Sequence, residues 1–175
     1  TLAQNPTIAG LHLNLAQTLY HVGKFDEAKQ VCAMAITLKP KLSTAHNTLG
    51  RIHAESSNLS QAIAAFEKAL EADPNNVTAY CNLGLVYRTK RNHRLAASNY
   101  RKALSIEPEL VDALVGLGSA LMENGRADEA VDLFRKALSF DPENSDAIHL
   151  TAALSGETTD TAPQNYVRNL FDFSQ

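Results

Sequence analysis

Histidines, cysteines and side-chain amides are the residues of this chain whose types and spacing could do chemistry. A metal site would gather several of the six histidines with cysteines or carboxylates at ligand spacing. No HExxH helix, paired CxxC turn or carboxylate cluster occurs. His12 and His46 instead stand 34 residues apart, at the same place in two copies of one recurring text, which reads as packing. Cys32 and Cys81 lie singly in helical text with apolar neighbours, as reduced thiols of a cytoplasmic protein do. Gly116 and Gly118 form a GxG inside a helical segment, where a nucleotide loop does not belong. No GxSxG elbow is present. No catalytic residue, metal ligand or cofactor is therefore expected. What remains is the carboxamides of Asn14, Asn47 and Asn82, which both donate and accept and so can clamp the backbone of an extended peptide.

Composition narrows the partner. The chain has 175 residues, 45% of them hydrophobic, a net charge of −3 and a pI near 6.0. It can bury enough apolar surface to fold. It lacks the cationic excess that nucleic acid or an anionic membrane surface demands. No apolar run approaches the roughly 18 residues of a membrane span, and the start lacks the basic-then-apolar order of a signal peptide. Proteins or extended peptides are the expected partners.

The amides must be positioned by helices, and a period shows which. Pro40, Pro74, Pro108 and Pro142 recur every 34 residues without insertion. Cutting on that phase gives segments 9–42, 43–76, 77–110 and 111–144, in which like residues align. Position 20 is Ala28, Ala62, Ala96 and Ala130, and position 27 is Ala35, Ala69, Ala103 and Ala137. Position 7 is Leu15, Leu49, Leu83 and Leu117, and position 8 is Ala16, Gly50, Gly84 and Gly118. Position 24 is Cys32, Phe66, Tyr100 and Phe134. Small residues let helices approach, large ones fill the space left, and each proline stops a helix so that the chain turns. Asp73 and Asp141, ahead of their prolines, suit that turn.

These columns resemble the tetratricopeptide-repeat (TPR) family, with Leu-Gly in the first helix of each unit, Ala and an aromatic in the second, and Pro at the exit. The resemblance covers 9–144 and implies an all-α, right-handed superhelical α-solenoid of helix-turn-helix repeats. It departs at position 4, where the family often has Trp and this chain has His12, His46, Tyr80 and Leu114, and His53 takes a place that is normally Tyr or Leu. Residues 145–155 read as a capping helix, 156–164 as a linker and 165–175 as a short amphipathic segment carrying Tyr166, Val167, Leu170, Phe171 and Phe173. Pro6 falls in the same phase, so 1–8 reads as the tail of a truncated preceding repeat.

In such a solenoid the first helix of each unit lines a concave wall. Unit positions 2, 5, 6, 9, 12 and 13 share one helix face. They bring forward Asn14, Gln17, Asn47, Arg51, Thr78, Asn82, Arg88, Ser119 and Glu123 as groove residues, with Leu13, Tyr20, Thr48 and Glu55 beside them. The asparagines partly resemble the ladder of the O-GlcNAc transferase superhelix, interrupted by Thr48 and Gly116. The family's carboxylate clamp for acidic chaperone tails is not matched, since Leu13, Gln17, Thr48, Thr78 and Asn82 stand in its places, or Asn47, Arg51, Asn82, Asp112 and Gly116 one unit later. No tight binding of such tails is expected.

From Ala152 onward the text resembles the junction of bacterial fusions between a TPR array and an S-adenosylmethionine-dependent methyltransferase. Ala153, Leu154, Gly156, Ala162, Pro163, Tyr166, Val167, Leu170, Phe171 and Asp172 carry the likeness. It implies a substrate-recruiting or assembly arm whose catalytic domain lies beyond Gln175. The alternative is self-association through residues 165–175.

Overall fold

The computed structural model describes residues 6–156, with side chains from Ile8 onward. The calls on residues 1–5 and 157–175 lie outside that range. Among the described residues there are nine helices and no strand: α1 (Pro6–His21), α2 (Phe25–Leu38), α3 (Ser43–Glu55), α4 (Leu59–Ala72), α5 (Val77–Thr89), α6 (His93–Ile106), α7 (Val111–Glu123), α8 (Ala127–Phe140) and α9 (Ser145–Ser155). The fold is an all-α TPR solenoid. Its helices gather into two compact units, the first ending at Asn92 and the second beginning at His93.

Every turn from a first to a second helix is built alike. Position 15 of the 34-residue phase takes a left-handed backbone, as Gly23 (φ 78°), Ser57 (φ 58°), Arg91 (φ 58°) and Gly125 (φ 77°). The next N–H then reaches back to a carbonyl inside the first helix, Lys24 to Leu19 at 2.9 Å, Asn58 to His53 at 2.8 Å, Asn92 to Tyr87 at 2.8 Å and Arg126 to Leu121 at 2.9 Å. That is the hydrogen bond that satisfies the open end of a helix in a Schellman motif. Glycine adopts this conformation freely, whereas Ser57 and Arg91 hold it at a cost of about 1 kcal/mol each.

The return turns carry proline, and two of them aspartate before it. Asp73 Oδ1 accepts from Asn75 N at 3.0 Å and Asp141 Oδ1 from Glu143 N at 3.2 Å, so each carboxylate closes a turn around its proline. Asn76 and Asn144 then cap α5 and α9 by accepting from Ala79 N and Ala147 N. Pro6 differs from the repeat prolines in being the first residue of α1, where its missing N–H has no partner to lose.

In the first unit α1 packs on α2, α2 on α3, α3 on α4 and α4 on α5. Its core has two centres, one of Ala16, Ala28, Cys32, Ala35, Ala45 and Ile52, the other of Ala62, Phe66, Leu83 and Val86. In the second unit α6 packs on α7, α7 on α8 and α8 on α9. Two of the position-8 glycines, Gly50 and Gly118, make room for aromatic rings. A Cβ on Gly50 would stand 2.5 Å from the Phe66 ring, and one on Gly118 would stand 2.5 Å from the Phe134 ring. Gly116 plays the same part for Tyr100, whose ring would also be met at 2.5 Å.

Candidate functional site

The face proposed for binding can be followed along α1, α3 and α5, where α1 touches α3 and α3 touches α5. Two side-chain hydrogen bonds join these helices, each between residues 35 apart. Asn82 Nδ2 donates to Asn47 Oδ1 at 3.0 Å, linking α5 to α3. Tyr20 donates its phenol to Glu55 Oε1 at 2.9 Å, linking α1 to α3. The Arg51 guanidinium lies over the Tyr20 ring, 4.4 Å from its centroid, a cation–π stack. Burial first, and then the bond to Glu55, push the Tyr20 phenol above its ordinary pKa, while Arg51 pulls it down. The result is a preorganised strip: an amide pair with donor and acceptor capacity to spare beside a guanidinium held flat on a ring.

Of the residues expected on this wall, Asn14 and Thr78 are exposed and Gln17, Asn47, Arg51, Asn82 and Arg88 are half-buried. These seven belong to the first unit. Glu123, in the second, is exposed and stands 3.1 Å from Nδ1 of His93, a close approach without hydrogen-bond alignment. Ser119 does not reach the surface. It is 4% exposed, within a stretch of α7 buried from Gly116 to Leu121, where short side chains take places that carry long polar ones on α1 and α3. Leu13 and Thr48 are likewise buried, Leu13 in the first core centre and Thr48 with its hydroxyl turned back onto Thr44 O at 2.9 Å. The partnership of Tyr20, Arg51 and Glu55 was not anticipated. Its signal is diagonal, since position 12 of one segment meets position 13 of the next, just as position 5 meets position 6 in the asparagine pair.

The two thiols differ in kind. Cys32 is fully buried and donates to Ala45 O at 3.1 Å, and burial pushes its pKa up to about 11 against the smaller pull of the Leu49 backbone. Cys81 is half-buried on the candidate face, and neither forms a disulfide. Because the thiolate is the reactive form, iodoacetamide at pH 8 should alkylate Cys81 in the folded protein and Cys32 only on unfolding. Peptide mass mapping after a short pulse checks this. Equal labelling of both cysteines under native conditions contradicts the burial described.

Among the described residues no three His, Cys, Asp or Glu side chains gather as a metal would require, and no helix is long and apolar enough to cross a membrane.

Comparison with known proteins agrees with the helical repeats. Residues 9–42 and 81–145 match families described as tetratricopeptide repeat, and 50–90 match one described as TPR repeat. Among curated proteins none matches the chain. Among solved structures, MamA is similar at 28% identity and a TM-score of 0.72, covering 81% of this chain and 82% of its own. YrrB, described as a TPR protein with an unusual peptide-binding site, is similar at 25% identity and a TM-score of 0.69, covering 83% and 75%. PilF of Pseudomonas aeruginosa shares the fold, with a TM-score of 0.81 at 19% identity, covering 95% of this chain and 74% of its own.

Proposed function

We propose, on the premise that the chain is an array of tetratricopeptide repeats, that it is a non-catalytic interaction scaffold that holds an extended peptide along α1, α3 and α5. The observation that carries the reading is the strip of Asn47, Asn82 and Arg51, whose polar groups are fixed by neighbours before any ligand arrives. A peptide backbone offers alternating donors and acceptors, which carboxamides match in either direction. Preorganisation lowers the ordering cost that weakens most peptide complexes. The similarity to YrrB, a protein whose description includes a peptide-binding site, supports the same reading. Asn14, Gln17, Thr78 and Arg88 extend the strip, Glu123 stands on the equivalent face of α7, and Ser119 is left out because it is buried.

The test is to select peptides from a displayed library on the intact chain and remeasure the winners on N47A, N82A and R51A variants. Losing hydrogen bonds worth about 1.5 kcal/mol weakens binding about tenfold. Winners that bind all three variants with unchanged affinity would remove the strip from the site.

The junction-like text from Ala152 onward favours a second reading, in which the repeats serve as the recruiting arm of an S-adenosylmethionine-dependent methyltransferase. That reading requires a strand followed by a Gly-rich turn within about 50 residues after Gln175 in the gene. Residues 165–175 carry the alternative of self-association, read out as a change in oligomeric mass when they are deleted.

A further inference from the structure

We propose that the first unit carries a second binding site, on the side of α3 opposite the peptide strip, which takes one apolar side chain from an acidic peptide of a partner protein. His46, Leu49 and His53 recur at three- and four-residue steps and so share one face of α3, whereas Asn47, Arg51 and Glu55 occupy the other. A cavity of about 240 Å3 opens on that back face, with Ile36 of α2, Leu49 of α3 and Ala64 and Ala65 of α4 among its apolar walls and Gln61 of α4 among its polar ones. This is smaller than the roughly 300–1,000 Å3 of small-molecule sites and suits a single inserted side chain.

The histidines are not required by packing. Leu114 and Leu121, at the same positions of the fourth segment, are 1% and 3% exposed and fully apolar. In the first unit imidazoles stand there instead. His46 Nε2 lies 2.7 Å from Pro40 O and must donate, because a carbonyl only accepts. His53 is kept below its ordinary pKa by burial, and next by the positive charge of Lys29, so its ring is neutral at pH 7. The walls thus provide apolar surface, two imidazole rings and the Gln61 carboxamide.

The rim is positive. Lys68 of α4 lines the cavity and Lys29 of α2 is the charge felt by His53, so cations approach from both flanking helices. Neither lysine is in an ion pair among the described residues, and no Asp or Glu lines the cavity. An apolar hole with Lys68 on its wall and the charge of Lys29 felt inside it is complementary to a Leu- or Phe-sized side chain flanked by carboxylates. The site stands apart from the strip on α1, α3 and α5, and either could fail without the other.

The experiment is fluorescence anisotropy on the full chain with a fluorescein-labelled decapeptide holding one Phe among glutamates. Two control peptides replace the Phe by Ser or all glutamates by Gln. The acidic Phe peptide should bind and both controls should bind at least about tenfold more weakly, about 1.4 kcal/mol. K68E, a surface change, should weaken binding at least as much. A64W, placed at an exposed position of the cavity mouth, should abolish it, and R51A on the opposite face should leave it within about twofold. The imidazole resonances of His46 and His53 should shift on titration. The proposal is overturned if the acidic Phe peptide does not bind, if the Gln control binds equally, if A64W binds like the parent, or if R51A weakens binding as much as K68E.

Discussion

Replacing Phe66 by alanine should cost about 3–5 kcal/mol and replacing Gly50 by alanine about 1–3 kcal/mol, yet the double variant should lose less than the sum of the two. Phe66 is among the largest fully buried side chains, at 1% exposure, and its loss opens a cavity between α3 and α4. The Gly50 substitution fails for the opposite reason. Its new methyl group would stand 2.5 Å from the ring edge, and the ring is enclosed, so ring or backbone must shift. With the ring gone, the methyl occupies part of the vacated space. The expected coupling is about 1–2 kcal/mol, in the range found for residues in contact. Urea unfolding followed by far-ultraviolet circular dichroism reads all four corners of the cycle. Strict additivity would show that ring and glycine do not share the space described.

The first segment offers the reverse experiment. It carries Ala16 and Cys32 where the second carries Gly50 and Phe66, and both Ala16 and Cys32 are fully buried in one core centre. A C32F change alone drives a ring into space the Ala16 methyl already holds, at a cost of about 1–3 kcal/mol. A16G alone weakens the helix by about 0.5–1 kcal/mol. Together they rebuild the glycine-and-ring pair of the second and fourth segments, and burying the larger side chain contributes about 1.5–3 kcal/mol. The double variant should therefore be more stable than either single one and should approach the parent. The thiol's bond to Ala45 O is lost throughout and sets the shortfall. A double variant no better than C32F would mean that the two segments solve their packing differently.

Much of this architecture could be read before any coordinates. The invariant proline phase located the return turns, and the two Ala columns named core residues that are buried in every segment, whereas the Leu column is buried at Leu83 and Leu117, half-buried at Leu49 and exposed at Leu15. Turn geometry was less legible. Position 15 is glycine only at Gly23 and Gly125, so nothing in the residue types of Ser57 and Arg91 announces their left-handed backbone, which the surrounding helices impose. The candidate binding surface was legible as one helix face and not as a set of partnerships. Helical periodicity says which side chains point the same way, while the 35-residue diagonal that joins Asn47 to Asn82 and Tyr20 to Glu55 depends on how neighbouring helices are offset. Ser119 shows the limit of facing alone, because a short side chain in the right direction can still lie beneath its neighbours. The cavity at His46 and His53 follows from three helices at once, and no single column forecasts its volume.

The sameness of the helix-to-helix turns bears on how such a gene can change. Since Leu19 to Lys24 and His53 to Asn58 close identical loops, a crossover between misaligned copies would delete or add one whole hairpin and leave every downstream residue in frame with its role. Removing residues 43–76 would join Leu42 to Val77, two residues already at consecutive places in the cycle. The length of the array is thus a variable that recombination can alter in whole steps, while the diagonal partners decide which neighbours a surviving hairpin can accept.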